Sequence, residues 1–161
     1  MSAIDDLVAR SSLQPAVTPG VHGRPATGVA IVACMDARLC VDRLLDLRPG
    51  DAHVLRNAGG IVTDDMLRSL LLSQRLLGTR EVMLIHHTDC GMSSFRDEEL
   101  AARIAAEVGE PPPFALGAFD DPVEDLRRSV AAVRACPFLP HRDSVKGFLY
   151  EVEAGRLREI A

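Results

Sequence analysis

Two cysteines and a histidine in this chain have the residue types and the spacing of a metal site. His87 and Cys90 are three residues apart, so a single turn can direct both side chains at one ion. Cys34 lies much earlier in the chain and would reach that ion from a different element. Two thiolates and one imidazole form a borderline-soft ligand set that suits zinc. Three protein ligands leave one tetrahedral position open, which a catalytic zinc site needs.

Polar residues cluster after each of three predicted strands. The three clusters are Cys34-Met35-Asp36-Ala37-Arg38, Arg56-Asn57-Ala58-Gly59 and His87-Thr88-Asp89-Cys90-Gly91. In open α/β sheets, functional sites form outside the carboxyl ends of the strands, at the point where the strand order reverses. If the first and third strands are neighbours, their clusters meet in one crevice.

Short apolar runs separated by helical patterns predict an α/β domain with a mostly parallel central sheet flanked by helices. We expect four parallel strands, at 29–33, 52–55, 82–85 and 144–152, and an antiparallel edge strand at 157–160. The helices are expected at 1–12, 40–47, 63–77, 97–108 and 121–135. Thr63 and Asp121 are the expected N-caps of two of them, and residues 57–60 are expected to form a flexible loop.

Residues 1–161 are interpreted as a single domain. Residues 1–28 are expected to form an N-terminal helix and arm, because residues 13–28 are rich in Pro, Gly and Thr. We expect this arm to pack on a partner subunit.

The composition excludes several classes of function. The net charge is −5 and the basic residues are scattered, which argues against nucleic acid as a partner. The apolar stretches are too short to span a membrane, and the acidic N-terminus lacks the apolar core of a secretory signal. We therefore expect a cytoplasmic protein whose four cysteines are free thiols or metal ligands. Cys40 and Cys136 are predicted to be core thiols.

The combined pattern resembles the β-class carbonic anhydrases, and in particular their small, prokaryotic-type members. The resemblance is carried by Cys34-x-Asp36-x-Arg38, then Arg56-Asn57-Ala58-Gly59, then His87-x-x-Cys90-Gly91. Order, spacing and companion residues all match over residues 29–92, which makes the pattern far more specific than a lone His-x-x-Cys pair.

The resemblance implies a zinc enzyme for the reversible hydration of carbon dioxide to bicarbonate and a proton. Attack by zinc-bound hydroxide would carry the reaction, and the working unit would be a homodimer or homotetramer. The implied site residues are Cys34, His87 and Cys90 for zinc, Asp36 and Arg38 for catalysis, and Asn57, Gly59 and Gly91 for substrate binding.

Asp36 has two roles open to it under this resemblance. Held by a charge-assisted contact with Arg38, it would accept a hydrogen bond from the zinc hydroxide and orient it. In some members of the family the equivalent carboxylate moves onto the zinc as a fourth ligand and closes the site. Activity would then rise with pH, because hydroxide competes for the same position.

Other functions remain open from the sequence. The same scaffold hydrolyses carbonyl sulfide or carbon disulfide in some relatives. The chain could also be a non-catalytic protein that binds zinc or senses bicarbonate. The three metal ligands could also form a purely structural zinc site. The chain has no Trp, so a bicarbonate pocket built around a Trp is absent in that form.

Several neighbouring residues have a structural interpretation as well as a functional one. Arg56 and Asn57 serve either loop geometry or chemistry, and Asp89 is expected to cap or orient its turn. His86 is expected to face away from His87 as a packed residue. Gln14 and Gln74 are the only candidates for a glutamine lining a carbon dioxide pocket. The remaining histidines lack ligand spacing, although one could shuttle protons; they are His22, His53 and His141.

Overall fold

The computed structural model of the chain describes residues 2–11, 13 and 20–161. Within these residues, five strands form one sheet: β1 (Val29–Cys34), β2 (Ala52–Asn57), β3 (Glu81–His87), β4 (Val145–Glu151) and β5 (Arg156–Glu159). Their order is β2-β1-β3-β4-β5. The first four strands are parallel, and β5 pairs with β4 in the antiparallel direction. The predicted fold class is confirmed.

The part of the chain that the structure describes also forms five α-helices: α1 (Ala3–Ser11), α2 (Val41–Leu44), α3 (Asp64–Arg75), α4 (Asp97–Val108) and α5 (Pro122–Ala135). Both predicted N-caps are confirmed. The Thr63 side chain accepts a hydrogen bond from the amide of Met66, and the Asp121 side chain accepts one from the amide of Val123. These contacts satisfy amides that have no partner within their helix.

The sheet is buried on both faces, as parallel sheets usually are. Alternate residues of β1 point to opposite sides, so Ala30 and Val32 join one core while Ile31 and Ala33 join the other. The first core packs against α3 and α5, and its largest members include Leu70 and Leu126. Largely buried strands, β1 and β3, therefore precede the three candidate metal ligands.

Three details of the sequence-based prediction are wrong. The helix expected at 40–47 ends at Leu44, because the backbone turns through a positive φ of 52° at Asp46. Cys40 is exposed and not a core thiol, since it stands at the N-cap position of this short helix. Residues 58–60 form a 3₁₀ turn whose Gly59 and Gly60 are buried, where a flexible loop was expected.

The structure also bears on Cys136, on the expected N-terminal arm and on a membrane span. Cys136 is buried, as predicted. Residues 12 and 14–19 of the expected arm, including Gln14, lie outside the described residues. Within the part of the chain that the structure describes, no helix has the length and apolar character needed to cross a membrane.

β1 lies between β2 and β3, so the three polar clusters share one edge of the sheet. The register pairs Cys34 with Asn57 on one side and Ala33 with Ile85 on the other. The condition that the first and third strands be neighbours is therefore met.

Candidate metal centre

The side chains of Cys34, His87 and Cys90 converge at the carboxyl edge of the sheet, and all three are buried. Their ligand atoms lie within 4.8 Å of one another, and the two Sγ atoms are 3.9 Å apart. Two sulfurs bound tetrahedrally at about 2.3 Å from zinc would lie about 3.8 Å apart. Among the described residues this is the one group of three such side chains that could hold a metal ion.

The imidazole of His87 is oriented for metal binding. Its Nδ1 lies 2.9 Å from the carbonyl oxygen of Thr88, which can only accept, so Nδ1 carries the proton. In the neutral ring Nε2 is then a lone-pair acceptor, and it is buried without a hydrogen-bond partner among the described residues. A buried nitrogen of this kind is costly unless something binds it. A backbone carbonyl on the other ring nitrogen is the usual support of a metal-binding histidine.

The two thiols are electrostatically prepared for a cation. The hydrogen bond between the two sulfurs lowers the pKa of Cys34 and raises the pKa of Cys90. Both sulfurs must be thiolates to bind a metal, so metal binding releases protons from this pair. Burial acts to lower the pKa of His87, but its contacts with Cys34 and Thr88 raise it on balance.

Asp36 and Arg38 form the expected contact beside these ligands. The guanidinium donates from Nε to Oδ1 at 3.0 Å and from Nη2 to Oδ2 at 2.8 Å. These hydrogen bonds hold the pKa of Asp36 well below its usual range, so the carboxylate is ionised at any working pH. Its Oδ2 lies 3.9 Å from Nε2 of His87, which places the carboxylate next to the candidate metal position.

Arg38 also contacts Asp89, which the sequence did not predict. Nη1 donates to Oδ2 of Asp89 at 2.6 Å, and Nη2 donates to its backbone carbonyl at 2.8 Å. The available signal was an acidic residue directly before a predicted ligand, but the sequence did not reveal its partner.

Arg56 supports the shape of the loop that follows β1. Its Nε donates to the carbonyl of Cys34 at 2.9 Å, and its Nη2 donates to the carbonyl of Asp36 at 2.7 Å. The structural interpretation of Arg56 is thus the one that its contacts favour. Both carbonyls belong to residues of the candidate site, so Arg56 holds the backbone of Cys34 and Asp36 in place.

Asn57 lines a cavity of about 390 Å³ together with apolar side chains, among them Leu55, Ile61 and Leu116. Its Nδ2 donates to the carbonyl of Ile61 at 2.9 Å. Its Oδ1 is buried and has no hydrogen-bond partner among the described residues. A role of Asn57 in substrate binding stays a prediction.

The two predicted substrate-binding glycines differ in their surroundings. A Cβ at Gly59 would lie 3.1 Å from side-chain atoms of Met92 and Phe119, so this residue is packed closely against its neighbours. Gly91 is exposed and begins a 3₁₀ turn directly after Cys90. Their contact with substrate stays a prediction.

His86 faces away from the metal ligands, as predicted. It is fully buried, its Nε2 lies 2.9 Å from Oδ2 of Asp125, and its ring stacks on Phe119 with centroids 5.7 Å apart. Burial acts to raise the pKa of Asp125, but hydrogen bonds from His86 and Arg128 lower it on balance. The hydrogen bond between His86 and Asp125 joins α5 to the end of β3, next to His87 in the chain.

Two further polar side chains from the sequence analysis have structural partners. His53 bonds through Nδ1 to Ser73 Oγ at 2.7 Å and through Nε2 to the carbonyl of Gly23 at 2.8 Å. Gln74 donates to the carbonyl of His141 and accepts from its amide. The amide group of Gln74 is therefore engaged away from the metal ligands.

Comparison with known proteins is consistent with this geometry. Residues 29–109 match the family model described as carbonic anhydrase. The chain is 49% identical to beta-carbonic anhydrase 1 of Mycobacterium tuberculosis over 136 residues, which cover 84% of this chain and 83% of that protein. It is 35% identical to a carbon disulfide hydrolase of an Acidianus strain over 153 residues, covering 80% and 75%.

A solved structure of carbonic anhydrase from Streptococcus mutans superimposes with a TM-score of 0.89. The two sequences are 38% identical, and the match covers 100% of this chain and 99% of that chain. The similarity therefore extends over the whole fold and is not confined to the three motifs.

Proposed function

The chain belongs to the β-carbonic anhydrase family, and we propose that it hydrates carbon dioxide reversibly to bicarbonate and a proton, using zinc held by Cys34, His87 and Cys90. The observation that carries the proposal is the convergence of three ligand atoms within 4.8 Å of one another, next to a carboxylate that Arg38 holds. A structural zinc site would normally close with a fourth cysteine or histidine. The described residues offer three such ligands, with Asp36 beside them.

When bound, zinc supplies a Lewis acid that makes a nucleophile available from water near neutral pH. The chain's own residues then fix the geometry. The carboxylate of Asp36 is ionised and can only accept hydrogen bonds. We assign it to accept a hydrogen bond from the attacking water and so to orient the lone pair toward the carbon atom. Arg38 keeps this carboxylate in place through two parallel hydrogen bonds.

Part of the wall of the cavity beside Asn57 is apolar, which suits carbon dioxide. Carbon dioxide is small and has no net dipole, so it favours an apolar wall with few polar groups. Leu55, Ile61 and Leu116 provide part of such a wall, next to the polar side chains of Thr63, Asp65 and Ser69, and none of the three candidate metal ligands lines the cavity. We propose Asn57 as a polar contact of the substrate, because it lines this cavity and pairs with Cys34 in the register of the sheet.

We also propose that residues 1–28 pack on a partner subunit in a homodimer or homotetramer. Helix α1 has no buried residue, and Ile4 and Leu7 expose apolar side chains from it. Such side chains gain stability when another surface covers them. Deletion of residues 1–11 should lower the assembly size measured by sedimentation, and an unchanged size would contradict the proposal.

A cytoplasmic location is proposed on chemical grounds. Two cysteine ligands must stay reduced, which a glutathione-buffered compartment ensures.

The substrate is tested by assaying zinc-loaded protein in parallel with carbon dioxide, carbonyl sulfide and carbon disulfide. Carbon disulfide hydrolysis is the second candidate, because four relatives between 34% and 36% identical carry that name. We expect carbon dioxide to be the preferred substrate. Turnover of either sulfur compound without hydration of carbon dioxide would contradict the proposed function and favour the second candidate.

A further inference from the structure

One guanidinium joins the two loops that carry the metal ligands. On one side Arg38 holds Asp36, two residues after Cys34. On the other side it contacts both the carboxylate and the backbone carbonyl of Asp89, the residue before Cys90. Asp36 and Asp89 are thus joined through a single side chain across more than fifty residues of sequence.

We propose that Asp89 is a positioning residue that fixes Arg38 and thereby keeps Asp36 on Arg38 and off the metal. The inference rests on the proposed function, since it requires a metal at Cys34, His87 and Cys90. Asp89 does not itself touch the reacting atoms. It acts by making release of Arg38 more costly.

The distances define the two possible positions of the Asp36 carboxylate. Its Oδ2 is 2.8 Å from Nη2 of Arg38 and 3.9 Å from Nε2 of His87, which is one of the ligand atoms. A small movement would bring this oxygen from the guanidinium to a metal at that site. The guanidinium therefore competes directly with the metal for the carboxylate.

The contacts with Asp89 keep the Arg38 guanidinium in the position where it binds Asp36. The side chain of Arg38 is 47% exposed, so without a second anchor it can rotate toward solvent. Rotation would break the contacts at 2.6 Å and 2.8 Å to Asp89 as well as those to Asp36. The planar fork of arginine allows it to meet both partners at once, which a lysine could not do.

The backbone conformation of Asp89 determines which substitutions can remove its carboxylate without straining the loop. Its φ of 55° is in the left-handed region, which Gly and Asn tolerate better than most residues. Asp89→Gly therefore keeps the backbone and the carbonyl contact but removes the carboxylate. Asp89→Asn keeps the shape and removes the charge. Glu124→Gln is the matched control, because it removes an exposed ion pair with Arg127 on α5.

The experiment measures transfer of zinc from each loaded variant to a chromogenic chelator, beside carbon dioxide hydration at neutral and alkaline pH. The Asp89 side chain is 81% exposed, so we expect effects of about twofold to fivefold, the size of an exposed ion pair. In Asp89→Gly, zinc transfer should slow by this factor, because Asp36 adds a fourth protein ligand. Hydration should fall by a similar factor at neutral pH and recover at alkaline pH, where hydroxide displaces the carboxylate.

We expect Asp89→Asn to lie between wild type and Asp89→Gly, and Glu124→Gln to match wild type. Zinc transfer that is unchanged or faster in Asp89→Gly would overturn the inference. So would an activity loss of equal size at both pH values, since that indicates general loosening of the site. Wild-type protein that holds zinc but does not hydrate carbon dioxide would overturn the proposed function instead, while the zinc-transfer comparison would still test Asp89.

Discussion

Cys90→Ala should lose zinc affinity by more than about 100-fold and lose carbon dioxide hydration to the background rate. Loss of supporting contacts around a metal typically costs 10-fold to 100-fold, and loss of a ligand itself should cost more. The remaining Cys34 and His87 cannot enclose a tetrahedral ion. Zinc content after dialysis and stopped-flow hydration rates measure the two effects.

The chain provides a matched control for this variant. Cys40 is exposed and lies at the start of α2, outside the group of three ligands. Cys40→Ala should retain full zinc content and wild-type hydration within about twofold, as expected for a surface substitution. A Cys90→Ala protein that keeps zinc and rate at the level of Cys40→Ala would exclude Cys90 as a ligand.

Gly60→Ala should destabilise the protein by about 3 kcal/mol or more, because the site leaves no room for a side chain. A Cβ there would lie 2.8 Å from the backbone nitrogen of Cys34 and 2.9 Å from the carbonyl carbon of Ala33. Backbone atoms of a central strand cannot move aside as the end of a flexible side chain can. The positive φ of 69° adds strain of about 1 kcal/mol for alanine. Urea unfolding of the metal-free protein measures the loss.

Gly78→Ala separates the clash from the strain. Gly78 has a similar φ of 77°, but a Cβ there would meet nothing within 4 Å. Its substitution should cost only about 1 kcal/mol, the cost of the backbone conformation alone. Equal losses in the two variants would show that close packing of Gly60 against β1 contributes nothing. The zinc content of Gly60→Ala should fall as well, since the clash displaces Cys34.

The candidate ligands could be predicted from the sequence because each lies at the end of a buried strand or within three residues of it. β1 and β3 are short apolar runs, which is typical of strands inside a parallel sheet, while their adjacency was a condition that the structure had to meet. Once these strands are neighbours, Cys34, His87 and Cys90 must meet. The N-caps Thr63 and Asp121 were predictable because capping depends only on residues close together in the chain.

Contacts that depend on long sequence separations could not be predicted in this way. The pair between Arg38 and Asp89 joins residues 51 positions apart, and both residues also have an ordinary interpretation as exposed charges. The burial of Gly60 depends on how closely its backbone approaches β1, which no local pattern encodes. The exposure of Cys40 follows from a helix that ends one turn after it begins, where the apolar pattern predicted two turns.

Stopped-flow hydration of carbon dioxide by metal-stripped protein, measured as zinc is added back, decides whether the metal held by Cys34, His87 and Cys90 carries catalysis. We expect a rate that rises in proportion to bound zinc and levels off at one ion per chain, at neutral pH, at alkaline pH or at both. Protein that holds one zinc per chain without hydrating carbon dioxide at either pH would contradict this expectation, as would a rate independent of zinc.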